Sequence, residues 1–212
     1  SGSPDEPTKP RTARDESPMN PELWLPDADL DDAHRDFARQ IRTFAEAKLA
    51  PHARAIDEER TFRRETVHDL AHAGILGGPL PREHGGSGWT PLQLAIAHEE
   101  LGAVCGNARG FCAVQTGLVA QCLAKYGNDT QRKNWLPALI DGSAIGCFGL
   151  TEPGAGSDVA SLTTHAVRQK DGSYRVRGQK WWITNGGVAD VMILFATVDP
   201  ELGRAGITAF LV

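Results

Sequence analysis

The chain has 212 residues, 41% of them apolar and 23% charged, and its formal net charge is −5. A sequence of this length and composition can bury a hydrophobic core, either in one large domain or in two smaller ones. Its Lys and Arg residues are scattered, which excludes the basic patch of a nucleic-acid or anionic-membrane binder, and no apolar run approaches the ~18 residues of a membrane span.

The first segment, residues 1–26, combines many prolines with charges of both signs. This composition cannot bury enough apolar surface to offset the entropy lost on ordering, so it predicts a disordered arm. The segment lacks the apolar centre of a secretory signal and is too acidic for a transit peptide.

Helical periodicity begins near residue 29 and continues to residue 142. Apolar residues at helical spacing predict a first helix that ends near residue 49, with Asp31 or Asp32 as N-cap and a break at Pro51. A shorter second helix is predicted over residues 67–75. It is followed by a glycine-rich connection over residues 77–88.

The third helix has the clearest start. Thr90 is a good N-cap, Pro91 suits the first helical position, and Gln93 completes a capping box. This helix is expected to reach residue 104, and a more apolar helix is expected over residues 108–126. A fifth helix, capped by Asp129 or Thr130, is expected to end near residue 139.

The four cysteines of the chain form no C-x-x-C pair and have no histidines at zinc-ligand spacing. A metal site is therefore not expected. Cys105, Cys112 and Cys122 fall in segments predicted to be buried helix, where a free thiol acts as a small apolar side chain. This usage fits a reducing cytoplasm.

After residue 143 the pattern changes to short β-rich segments. They are residues 145–150, 162–167, 174–177, 180–184, 191–198 and 207–212. Asp171-Gly172 predicts a hairpin turn. Helices followed by strands predict an α+β fold with an all-α domain at 27–142 and a sheet or barrel-like domain at 143–212. The last strand stops without a turn, so we expect more polypeptide beyond Val212.

A glycine-rich turn, GAGSD, occupies residues 154–158. Two glycines allow the backbone to approach a ligand, and successive N–H groups in such a turn can bind an oxygen-rich group. The spacing matches neither the Rossmann nor the Walker motif. Taken alone, the segment is more often only a turn between strands.

Two longer segments favour a ligand-binding role for this turn over a purely structural one. Residues 147–158 read CFGLTEPGAGSD and residues 180–187 read KWWITNGG. They resemble the two signatures of the acyl-CoA dehydrogenase family, and the order of elements is similar from about residue 30. The string RGFCAVQ at 109–115 resembles the glutaryl-CoA dehydrogenase branch most. Biosynthetic dehydrogenases that act on acyl-carrier-protein thioesters are an alternative source of this string.

The resemblance implies an FAD site and assigns residues of the first signature to it. The N–H groups of Leu150 and Thr151 and the Thr151 hydroxyl would meet the pyrimidine end of the flavin, and Phe148 would line the same pocket. Gly156 and Ser157 would lie near the cofactor and the pantetheine arm of the substrate. Ser157 would then contact both.

The resemblance also assigns residues of the second signature. Trp182 would pack against the flavin ring, with Ile183 and Thr184 near its N5 atom. Adjacent tryptophans on a strand place one ring in a core and the other on the outer face, and we assign Trp181 that structural role.

Arg109 is the candidate for substrate selection. In the glutaryl-CoA branch, an arginine at this place meets the distal carboxylate of the substrate, a task that suits a guanidinium. An arginine that is solvated or paired at a helix end is an equally good interpretation.

The reaction implied is α,β-dehydrogenation of an acyl-CoA or acyl-carrier-protein thioester by a flavoprotein oxidoreductase of fatty acid or amino acid metabolism. In the family the base is a glutamate on a C-terminal helical bundle, so we expect it beyond Val212 and expect no catalytic residue in this chain. We interpret Glu152 as a residue that holds the turn rather than as the base. An isolated fragment would be inactive.

The family also implies a homotetramer and an electron-acceptor flavoprotein as partner. The alternative function is a truncated or split subunit that binds flavin or a partner chain without catalysis.

Overall fold

The computed structural model describes residues 30–212. The arm predicted at residues 1–26 lies outside the described residues. The α-helices are α1 (Asp32–Lys48), α2 (Ala50–Glu59), α3 (Arg64–His72), α4 (Pro91–Val104), α5 (Gly106–Cys112), α6 (Gln121–Tyr126) and α7 (Asp129–Asp141). The strands are β1 (Gly146–Gly149), β2 (His165–Arg168), β3 (Tyr174–Arg177), β4 (Val191–Thr197) and β5 (Ile207–Leu211). Helices precede strands, which confirms the predicted α+β fold.

Two helix starts follow directly from local sequence. The Asp31 side chain accepts a hydrogen bond from the His34 N–H at 2.8 Å and caps α1. Thr90 and Gln93 exchange the two bonds of a capping box at the start of α4. Both satisfy N–H groups that a helix leaves without partners in its first turn. The predictions for these two helices are confirmed.

Other helix boundaries differ from the prediction. The first helix ends at Lys48, as expected. The break falls at Leu49 rather than at Pro51, because Pro51 occupies the first turn of α2, where its missing N–H costs nothing. The N-cap of α7 is Asn128, which forms a capping box with Gln131, and not Asp129 or Thr130. The helix expected at 108–126 contains a π-helical segment, Ala113–Ala120, between α5 and α6.

Within residues 30–212, the sheet has five strands in mixed orientation. β4 lies at its centre, parallel to β1 and β2 and antiparallel to β5. β2 and β3 form the hairpin predicted at Asp171-Gly172, and Gly172 has a φ of 86°. The positive φ explains why glycine is needed in this tight turn.

Two apolar clusters hold the elements together. The first lies among α1, α3, α4 and α5. The second joins the π-helical segment, α6 and α7 to the sheet through Val191 and Ile193 on β4. The sheet therefore packs against the helices at its β1–β4 side. None of the helices within residues 30–212 is long and apolar enough to cross a membrane.

Two strand predictions need correction. The segment expected at 162–167 follows a 3₁₀ turn, Val159–Ser161, and becomes a strand only at His165. The strand expected at 180–184 does not form. Trp182 has a φ of 57°, which is incompatible with extended backbone, and the Trp181 N–H bonds to the Thr151 carbonyl rather than to a strand of the sheet.

Candidate functional site

A buried carboxylate lies at the centre of the site. Glu152 Oε2 accepts hydrogen bonds from the Thr163 N–H at 2.6 Å and the Thr163 hydroxyl at 2.8 Å. Oε1 accepts from the Thr164 N–H at 2.9 Å and from Lys180 Nζ at 2.8 Å. The side chains of Glu152 and Lys180 are 3% and 9% exposed. The carboxylate is thus almost fully buried and almost fully hydrogen-bonded.

Two opposing effects act on the pKa of Glu152. Burial raises the pKa, while the hydrogen bonds from Lys180, Thr164 and Thr163 lower it, and the net result is a pKa of about 2. The group is therefore a very weak base at neutral pH. This agrees with the interpretation that Glu152 holds the turn.

The ion pair also joins the two segments singled out in the sequence. Lys180 Nζ donates to the Leu150 carbonyl at 3.0 Å as well as to Glu152. One residue later, the Trp181 N–H donates to the Thr151 carbonyl at 2.9 Å. Residues 150–152 and 180–181 consequently lie side by side, although 28 positions separate Glu152 from Lys180 in the chain.

The loop that follows Lys180 presents aromatic surface to solvent. Trp182 is 81% exposed and Trp181 is 46% exposed. Their rings stack with centroids 5.8 Å apart and an interplanar angle of 18°. The expectation that Trp181 is a structural core residue on a strand was wrong, because the positive φ of Trp182 turns the two rings to the same side.

Asn185 secures the far end of this loop. Its side-chain amide donates to the Gly146 carbonyl at 3.1 Å, and its φ of 67° is again left-handed. Asparagine tolerates this conformation better than most residues. The loop from Trp181 to Thr184 is thus held at one end by the bond to Thr151 and at the other by the bond to Gly146. It pairs with no strand among the described residues.

Several hydrogen-bond donors at this place have no acceptor. Within residues 30–212, neither the N–H groups of Leu150, Thr151 and Thr184 nor the hydroxyls of Thr151 and Thr184 find a hydrogen-bond partner. Leu150 and Thr151 are half-buried and Thr184 is exposed, so these donors are open to a ligand. Free donors beside an exposed indole fit a planar aromatic ligand whose edge carries oxygen and nitrogen acceptors.

A cavity of about 300 Å³ extends from Thr184 into the helical part of the chain. Its wall is mainly apolar and includes Ile56, Phe62, Val67, Ala108, Phe111 and Asn185. Such a wall suits an apolar portion of a ligand.

The other predicted site residues lie apart from these donors. The Phe148 ring packs against Phe195 at 5.0 Å, between the sheet and the helices. Gly156 and Ser157 are exposed on the turn after Glu152. Arg109 is exposed on α5 and packs over Gly102, and it does not line the cavity beside Thr184. The structure therefore gathers Leu150, Thr151 and the loop after Lys180.

Two residues with evident roles were not among the predicted site residues. Lys180 heads the second segment, and Asn185 ends its Trp-Trp-Ile-Thr run. The sequence contained a signal for Lys180, because a lysine beside two tryptophans needs a counter-ion if it is buried. The sequence offered no means of choosing Glu152 as that partner.

Comparison with known proteins follows the same division of the chain. The profile of the acyl-CoA dehydrogenase N-terminal domain matches residues 31–143, and that of the middle domain matches residues 147–212. The chain belongs to the acyl-CoA dehydrogenase family. The resemblance stated for the two signature segments is thereby confirmed.

Individual members of the acyl-CoA dehydrogenase family support this. A short-chain-specific acyl-CoA dehydrogenase of Clostridium acetobutylicum is 40% identical over 179 residues, which cover 84% of the chain and 47% of that protein. A glutaryl-CoA dehydrogenase of Mycobacterium smegmatis, solved in complex with FADH2, has a TM-score of 0.82 and 37% identity. The match covers 90% of this chain and 48% of that protein. The prolyl acyl-carrier-protein oxidase AnaB has a TM-score of 0.76 and 32% identity, with coverages of 86% and 49%. The chain spans about half the length of each of these three proteins.

Proposed function

We propose that the protein is an FAD-dependent acyl-CoA dehydrogenase, in which this chain supplies part of the flavin and thioester site. The observation that carries the proposal is the juxtaposition of free donors on Leu150, Thr151 and Thr184 with the exposed indole of Trp182. A relative of the same fold was solved with FADH2, and its sequence is 37% identical.

The donor set suits the flavin ring system. The N–H groups of Leu150 and Thr151 and the Thr151 hydroxyl would hold the pyrimidine edge. The Thr184 hydroxyl and Ile183 would lie near N5, and Trp182 would cover the ring. Bound FAD would supply the acceptor for the hydride that leaves the β-carbon of an acyl thioester. Hydrogen-bond donors at the ring edge stabilise negative charge there, and more strongly where water is excluded.

We further propose that the cavity beside Thr184 receives an apolar part of the cofactor or substrate. Phe148 would support the pocket from the core, while Gly156 and Ser157 would meet the pantetheine arm. The carrier is proposed to be coenzyme A. An acyl-carrier-protein thioester is the alternative, motivated by the similarity to a prolyl acyl-carrier-protein oxidase. Similarity to both short-chain and glutaryl-CoA dehydrogenases leaves the branch a proposal, with Arg109 as its candidate determinant.

The remaining parts of the proposal concern the whole enzyme. The base is expected outside the described residues, because Glu152 is buried and fully engaged. A homotetramer, an electron-acceptor flavoprotein and a cytoplasmic location complete the proposal, the last supported by four free cysteines. We propose domain limits of 27–142 and 143–212, since α7 ends at Asp141 and β1 begins at Gly146.

The test is flavin uptake by the protein expressed from its whole reading frame. We expect the purified protein to be yellow, or to take up added FAD with quenching of tryptophan emission, because Trp182 would contact the ring. Trp182→Phe should reduce the quenching, whereas Trp89→Phe, which removes a ring packed against Phe37 in the helical core, should preserve the Trp182 contribution. Bleaching of the flavin by an acyl-CoA would then establish oxidation. A colourless protein that takes up no FAD would refute the proposal.

A further inference from the structure

We infer that Lys180 and Glu152 are positioning residues, which together hold the loop from Trp181 to Thr184 at a set distance from the donors on Leu150 and Thr151. The inference rests on the proposed function, since that loop and those donors are the parts assigned to the flavin. The motivating observation is geometric: a single ammonium group bonds both Glu152 and the Leu150 carbonyl.

The ion pair between Lys180 and Glu152 is buried rather than exposed at the surface. Both side chains are almost fully enclosed, and every bond of the Glu152 carboxylate is directed at a group within the protein. Desolvation offsets most of the attraction in such a pair, so an apolar pair of similar volume can stabilise a fold equally well. A role in placing backbone segments explains the use of charged residues here better than stability does.

The loop needs such an anchor because its backbone is strained. Trp182 and Asn185 are both left-handed, a conformation that side chains other than glycine adopt at a cost. Such residues persist only where the surroundings hold them in place. The surroundings here are the Lys180 ammonium and the Trp181 N–H at one end and the Asn185 amide at the other. Loss of the Lys180 anchor would let Trp182 relax toward an ordinary φ.

The stacked tryptophans report on this arrangement without any cofactor. Two indoles at 5.8 Å and 18° are close enough for their electronic transitions to couple, which gives a paired signal in circular dichroism. Trp182→Phe identifies that signal by removing it. The readout depends on the loop and is insensitive to whether the protein turns over substrate.

The experiment compares Lys180→Met, Glu152→Gln, the double variant and the control Lys170→Met. Lys170 is exposed on the β2–β3 hairpin and forms no ion pair within the described residues. For each protein we would measure the tryptophan couplet, the Kd for FAD and the thermal midpoint. Lys180→Met should lose the couplet and raise the Kd by about tenfold or more, whereas Lys170→Met should change neither.

The double variant separates positioning from stability. It removes the uncompensated buried charge left by Lys180→Met, so its thermal midpoint should recover toward that of the wild type. Its Kd and couplet should remain impaired, because the bond from the Lys180 ammonium to the Leu150 carbonyl is then lost and only the Trp181 N–H still holds this end of the loop. Recovery of FAD affinity together with the thermal midpoint in the double variant would overturn the inference. An unchanged couplet in both Lys180→Met and the double variant would also overturn it.

The outcomes also separate this inference from the proposed function. Failure of the wild type to bind FAD would refute the proposed function, and the couplet alone would then decide whether Lys180 positions the loop. Wild-type binding with equal affinity in the double variant would refute the positioning role and leave the function standing. If Lys180→Met does not fold, the double variant is compared with Glu152→Gln. Only the double variant lacks the bond from Lys180 to the Leu150 carbonyl.

Discussion

At the scale of single residues, Glu152 shows how surroundings can reverse the usual effect of burial. Enclosure in protein raises the pKa of a carboxyl group, yet hydrogen bonds from Lys180, Thr164 and Thr163 bring this one from 4.5 to about 2. The folded state thus favours the ionised form. The unfolded chain binds a proton at higher pH than the native protein does.

This difference makes stability depend on pH in a defined window. The contribution of Glu152 is complete above pH 4.5 and is lost as pH falls toward 2. We expect the free energy of unfolding of the wild type to fall faster with acid than that of Glu152→Gln, by up to about 1.4 kcal/mol per pH unit in this window. Urea unfolding at a series of pH values measures it.

Glu59→Gln is the matched control, because Glu59 is exposed at the end of α2. It should keep the wild-type dependence on pH. Parallel curves for the wild type and Glu152→Gln would contradict the assignment of a strongly lowered pKa to Glu152.

At the scale of elements, the π-helical segment connects the helices to the sheet. Gln115 within it is fully buried. Its amide donates to the carbonyls of Leu139 and Ala144, and its oxygen accepts from the Gly146 N–H at 2.8 Å. One side chain thereby joins the end of α7 to the start of β1. Gly146 is also the residue whose carbonyl holds Asn185.

We expect Gln115→Met to lower the free energy of unfolding by about 2–4 kcal/mol, because three buried backbone groups lose their partner while side-chain volume is kept. Chemical denaturation measures the loss. Gln121→Met is the control and should change stability little, because this half-buried side chain in α6 forms no hydrogen bond within residues 30–212. Equal effects of the two substitutions would show that the network around Gln115 is unimportant.

Caps and tight turns were the elements that local sequence predicted best. The capping box at Thr90 and the hairpin turn at Gly172 depend on residues a few positions apart, and both formed as expected. Residues 180–184 also have the composition of a strand, but a strand needs a neighbour to complete its hydrogen bonds. Here the Thr151 carbonyl takes the Trp181 N–H, and Lys180 bonds to Glu152.

At the scale of the whole molecule, the position of Arg109 bears on the substrate role that is proposed for it. Arg109 packs over Gly102 and lies outside the cavity next to Thr184. Its proximity adds to the effect of burial in lowering the pKa of His98. A carboxylate that reached Arg109 would meet a cation, and the lowered pKa of His98 disfavours a second positive charge beside it.

If Arg109 selects the substrate, Arg109→Ala should lower kcat/KM for a dicarboxylyl thioester about tenfold more than for a straight-chain one, because only the former loses an ion pair. Steady-state assays of the whole enzyme with both substrates test this. Lys133→Ala, a change to an exposed cation on α7, should affect neither substrate. Equal losses on both substrates in Arg109→Ala would refute a role of Arg109 in substrate selection.

Sequence alone determined that helices precede strands, that Asp31 or Asp32 caps the first helix and Thr90 the third predicted one, and which two signature segments identify the family. These are local features, since each depends on residues within one element or one unbroken string. Only the tertiary structure decided which groups face one another. The pairing of Lys180 with Glu152, the left-handed turn at Trp182 and the bond from Asn185 to Gly146 join residues 28 to 39 positions apart, or depend on such contacts. Nothing in local propensity selects among the many partners available over such distances.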